Sequence, residues 1–128
     1  MKYTLIFDNA LSCLIISANG PATVQDILAF VHEALNDDRW RSGMNAIVNY
    51  SQAELDALTS SEIHTLANAV EGLKEEIGAG RIAHVVSRTV DFGMLRMWEN
   101  LVEDHVHFDY RIFRSMDNAR RWLADVSI

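Results

Sequence analysis

Tyr50, Ser87, Arg88, Phe92, Gly93, Met94 and Arg114 are the residues whose types and predicted positions best fit a ligand. Five of them, Tyr50, Ser87, Arg88, Phe92 and Arg114, fall where predicted strands end. Two arginines and the hydroxyls could accept an acidic group, with Phe92 and Met94 as an apolar wall. The expectation is a binding corner for a small anionic or amphiphilic molecule, although loop ends also carry such residues for purely structural reasons. Gly93 lies close to a predicted helix start, where glycine is up to about 1 kcal/mol less favourable than alanine. Its presence there predicts a close approach to the backbone, by a ligand or by a neighbouring strand.

The remaining reactive side chains carry less. His105 and His107 are two residues apart and could form a metal pair, but neither a third ligand nor an H-E-x-x-H spacing accompanies them. His84 shares its alternation with Ile82 and Val86, which predicts a core or rim histidine making one hydrogen bond. His32 and His64 flank apolar helix stripes and are expected to face solvent. Cys13 sits in an apolar strand without a nearby cation and should behave as a small hydrophobe. Glu71, Glu75 and Glu76 with Lys74 read as a solvated helix face. The sequence contains no Gly-rich phosphate loop, nucleophile elbow or paired-carboxylate arrangement, so no residue set nominates a reaction, and no cofactor or metal is expected.

Positioning these residues falls to the stretch Arg81–Val102. Ile82–Val86 is a short apolar, β-branched run, which only a strand covered on both faces tolerates. After it, Met94, Met97, Trp98, Leu101 and Val102 recur at helical spacing, with Arg96, Glu99, Asn100 and Glu103 opposite. A buried strand feeding an amphipathic helix is half of a β-α-β unit. Upstream, Tyr3, Leu5 and Phe7 alternate as a strand. Asp8-Asn9 predicts a tight turn into a second strand over Leu11–Ser17. Gly20-Pro21 reads as a break. Thr23–Asn36 reads as a helix with Val24, Ile27, Leu28, Val31 and Leu35 inward, and Asp37–Gly43 as a loop that is polar apart from Trp40. Ala46–Tyr50 is a third strand. Thr59 and Glu62 form a capping box before a second helix that ends at Gly78. Asp109–Phe113 is the last strand, and Ser115 caps a closing helix with Ala119, Trp122 and Leu123 inward. The fold class is therefore α/β: a five-stranded mixed sheet, an N-terminal antiparallel hairpin followed by parallel β-α units, with four helices. The helix N-termini and the loops after the parallel strands gather along one edge, where open α/β sheets hold ligands.

Length and composition agree with a single domain over residues 1–128. At 128 residues, 49% apolar and 23% charged, the chain can bury a core without disulfide or metal. The N-terminus lacks a signal-peptide pattern, and no apolar run approaches the roughly 18 residues of a membrane span. A single cysteine rules out an intrachain disulfide and makes a reducing cytoplasm the default location. The net charge is −7, and the acid is concentrated: residues 1–80 hold four Lys/Arg against eleven Asp/Glu, whereas residues 81–128 balance at seven each. An acidic chain without a basic stripe argues against nucleic acid as a partner.

The hairpin followed by β-α units resembles the STAS domain of sulfate transporters and anti-sigma-factor antagonists. Three stretches, RIAHVVS, DFGMLRMWENL and FRSMDNARRWL, are similar to the STAS-like family that also resembles the CRAL-TRIO lipid-carrier fold. The likeness runs over nearly the whole chain and rests on structural rather than catalytic motifs. In the antagonists, a serine in an Asp-Ser-Ser-Gly-like motif opens the helix after the third strand and is phosphorylated by a partner kinase. Ser60 and Ser61 stand at the corresponding position, within Thr59-Ser60-Ser61-Glu62, where the preceding acid and the following glycine are both absent. What the resemblance implies is a non-enzymatic binding domain, foremost a protein-interaction or regulatory module that binds another protein or itself as a homodimer. The alternatives it implies are a carrier or sensor of a small apolar, amphiphilic or anionic ligand and, more distantly, a switch phosphorylated at Ser60 or Ser61.

Overall fold

The computed structural model describes residues 1–125. Strands β1 (Lys2–Asp8) and β2 (Cys13–Pro21) pair antiparallel, with Asp8 opposite Cys13. Their connection is a four-residue turn rather than the expected tight Asp8-Asn9 turn. The positive φ falls on Ser12, and Asp8 Oδ1 accepts the Leu11 N–H at 3.2 Å, which closes the longer loop. Gly20-Pro21 does not break the chain. Both stay in β2, opposite Ala53 and Glu54, beyond a register shift at Ser17–Asn19. Gly20 supplies a φ of 87° there, and Pro21 needs no ladder donor because it ends the strand.

Helix α1 (Val24–Leu35) begins where Thr23 accepts the Asp26 N–H. Its buried centre is Ile27, Phe30 and Ala34, so the expected stripe is turned: Val24, Leu28, Val31 and Leu35 are its half-buried flanks. Strand β3 (Asn45–Glu54) runs four residues past Tyr50 and ends in a short 3-10 turn at Leu55–Ala57. The second helix starts at a complete capping box, with Thr59 and Glu62 each accepting the other's backbone N–H. It is divided into α2 (Ser60–Gly72) and a single turn α3 (Lys74–Ile77). The interruption follows Gly72, a weak helix former, and raises the helix count from the expected four to five. At Gly78 the φ is 83°, and a side chain there would run into Gly43. The loop before β3 caps α3: Ser42 Oγ, Trp40 Nε1 and the Gly43 N–H donate to the carbonyls of Glu75, Glu76 and Ile77. Trp40 is thereby held in place by a donor that the polar loop would otherwise leave free.

Strand β4 (Arg81–Val85) leads into α4 (Thr89–Val102), then β5 (Asp109–Phe113) and α5 (Met116–Ala124). The sheet order is β1-β2-β3-β4-β5, parallel from β2 onward. Each crossover steps one strand in the same direction, so right-handed connections put α1, α2 and α4 on one face. Helix α5 covers the other, against Cys13, Ile15, Ile47, Ala83 and Val85. Strand β4 is thus an interior strand roofed on both sides. No helix among the described residues is long and apolar enough to cross a membrane.

Candidate functional site

The corner after β4 is closed. Asp91, in the first turn of α4, is fully buried and accepts the Leu55 N–H at 2.8 Å. Arg88 Nε donates to it at 2.9 Å, and the same guanidinium also reaches Asp56. These carboxylates hold Arg88 protonated still more firmly than usual. With two acids around one arginine the corner carries no surplus positive charge, unlike the expected anion cup. Arg114 lies over the Phe92 ring, 4.9 Å from its centroid, and Ser87 Oγ donates to the Ser51 carbonyl at 2.8 Å. Phe92 borders an open polar groove beside β5, lined also by Arg96 and Glu99. Gly93 is exposed inside α4 with open space where a side chain would go, so the expected close approach to its backbone is absent. The physical reason is topological: strands added in sequence order never reverse, so no crevice opens at the carboxyl edge.

Tyr50 and Met94 belong elsewhere. They line a cavity of about 110 Å³ between the sheet and the helical layer. Its floor is Leu14, Ile16, Ala46, Val48, Tyr50, Ile82 and His84, all facing one way by strand alternation. Its roof comes from α1, α2, α4 and the 3-10 turn, with Phe30, Leu66, Leu95 and Trp98 prominent. Half-buried Leu28, Val31, Leu35, Val70 and Trp40 mark where it nears the surface. Small residues on facing elements, Ala34 and Ala46, leave the space open. No charged side chain lines it.

Besides the indoles of Trp40 and Trp98, two polar side chains border this space. Tyr50 is 4% exposed and His84 7%, with their rings 5.3 Å apart, edge to face. The Tyr50 hydroxyl makes no hydrogen bond to any described residue, and neither does His84 Nε2. Yet no fully enclosed side-chain polar atom among the described residues lacks a partner. Both atoms therefore border space that a water-sized molecule reaches. His84 Nδ1 lies 2.8 Å from the Tyr110 hydroxyl, as the expectation of a core histidine with one hydrogen bond required. When the Tyr110 hydroxyl donates to Nδ1, the neutral ring carries its hydrogen on Nε2. Burial pushes the His84 pKa down to about 3, so the ring is neutral at pH 7. Burial likewise raises the phenols of Tyr50 and Tyr110.

The other candidates are placed apart from the cavity. Ser60 and Ser61 are exposed in the first turn of α2. His105 Nδ1 and His107 Nε2 are exposed and pair with Glu71 and Glu75, at 2.9 and 3.0 Å. No cluster of metal-ligating side chains occurs among the described residues. Met97, expected to face inward, is 36% exposed, because α4 turns Asp91, Leu95, Trp98 and Val102 to the core. Cys13 is fully buried and its thiol pKa is pushed up to about 11 by desolvation. Sequence reasoning did not assign Trp40, Trp98 or His84 to a binding site. Trp40, alone in a polar loop, was the one local signal available. No protein-family model matches this sequence, and no curated protein matches it.

Proposed function

We propose that this chain is a non-enzymatic binding domain whose ligand is a small, mostly apolar molecule held between the sheet and α1, α2 and α4. The cavity carries this reading. Protein interiors pack with few voids larger than a water molecule. An apolar space of about 110 Å³, if left unfilled, costs at most roughly 2–3 kcal/mol in lost contacts. A ligand restores those contacts, and engineered apolar cavities of about 150 Å³ take up benzene. The carrier likeness of the sequence supports the same reading. Calorimetry with benzene tests it: a Kd on the order of 0.1–1 mM is expected at one molecule per chain. Ala46→Leu, which fills the floor, should abolish the heat. Absence of binding by the parent protein would remove the proposal.

A protein-interaction role is the second reading, supported by the STAS likeness and by Val90 and Met97. These are 47% and 36% exposed, seven residues apart on one face of α4. Light scattering across a concentration series, compared with Met97→Lys, separates self-association from a monomer.

A further inference from the structure

We propose that the cavity selects a neutral ligand carrying one hydrogen-bond-accepting oxygen, a ketone or alcohol on a ring-sized apolar body, with Tyr50 and His84 donating to that oxygen. The inference rests on the small-ligand reading above and specifies the chemistry of the same site. It starts from the two unpartnered atoms. A buried donor left without an acceptor costs the desolvation of that donor, so buried polar groups are paired in nearly all native structures. Here two side chains, each more than nine-tenths buried, stand side by side on one apolar space, and each has a polar atom there that no described residue partners. In the tautomer in which Tyr110 donates to Nδ1, His84 carries N–H on Nε2, and the Tyr50 hydroxyl can donate as well. Two donors on one apolar space match the two lone pairs of one carbonyl or hydroxyl oxygen.

Charge is excluded by the same lining. No Lys, Arg, Asp or Glu borders the cavity, so an ammonium or carboxylate would be buried without a countercharge. His84 cannot supply one, since its surroundings keep it neutral at pH 7. A fatty-acid anion, the natural first candidate for a carrier-like fold, is therefore a poor occupant.

Methylcyclohexane, cyclohexanone and cyclohexylammonium are nearly isosteric and probe these statements at pH 7. Hydrocarbons leave water more readily than ketones, so the informative quantity is the change in each Kd on Tyr50→Phe. That substitution removes an oxygen without a partner in the protein, so the fold should tolerate it. The expected result is a three- to tenfold weaker Kd for cyclohexanone, with the methylcyclohexane Kd unchanged or tighter. The ketone stretch of bound cyclohexanone should also lie at lower frequency than in hexane. Cyclohexylammonium should not bind at ten times the ketone's Kd. Equal effects of Tyr50→Phe on both neutral rings, or binding of the ammonium as tight as the ketone's, would overturn the inference and leave the cavity reading standing. Failure of all three rings, together with benzene, would overturn both.

Discussion

On the face covered by α5, Cys13, Ile47, Ala83 and Ala119 are wholly buried and the helix lies close on small side chains. On the opposite face the same strands present Leu14, Ala46, Val48, Tyr50 and His84 to three helices that bury them but leave a cavity between the layers. The aromatic rings of Phe30, Tyr50, His84, Trp98 and Tyr110 contact one another at centroid distances of 4.9–6.3 Å, and all but Tyr110 line the cavity. Large rigid rings spaced in this way hold a gap open, whereas alanines under a nine-residue helix leave none. The α5 face is thus small and closely packed, whereas the helical face holds most of the buried core together with the cavity.

The largest test of this contrast is truncation. Ile47→Ala on the dense face should lose about 2–5 kcal/mol in urea denaturation. Leu66→Ala, which already borders open space, should fall at the low end of that range. Comparable large losses at both would mean that the helical face is as tightly packed as the other.

Acid should act through the cavity face. The folded His84 pKa of about 3 lies below its unfolded value, so between those values the unfolded chain binds a proton that the folded one does not. Stability is fully present above about pH 6.5 and should fall by about 1.4 kcal/mol per pH unit on acidification towards pH 4. Urea midpoints at several pH values would show this slope in the parent protein and a shallower one in His84→Gln. An unchanged slope in the variant would mean that His84 is not buried neutral.

Adding volume separates the faces more cleanly. Ala83→Leu should cost about 1–3 kcal/mol by overpacking against α5. Ala46→Leu should be neutral or stabilising by about 0.5–1 kcal/mol. A smaller effect concerns Cys13, whose buried thiol, with its raised pKa, should resist a disulfide reagent at pH 8 until urea unfolds the chain. Rapid labelling of the folded protein would show that the dense face opens.

Locally encoded features were legible in the sequence. The Thr59-x-x-Glu62 box, the β4 run and the alternation that put His84 inside all depend on neighbours a few residues away. The cavity was not, because it is a space left between Ala34, Ala46, Leu66 and Trp98, which come from four elements. Tyr50 and Met94, read from the sequence as members of an anion-binding edge, line the apolar cavity instead. That edge is closed by Asp91, whose acceptor role depends on the Leu55 N–H, 36 residues earlier. The rotation of α1 onto Phe30 and the outward turn of Met97 likewise follow from what each helix packs against, not from its own period.

Methyl-resolved NMR of the protein titrated with benzene tests the difference between the faces most directly. Val48, Leu66, Met94 and Leu95 methyl signals should shift with ring-current signatures, while those of Ile15, Ile47, Val85 and Leu123 stay fixed. Shifts of similar size on both faces, or on neither, would contradict a cavity confined to the helical side.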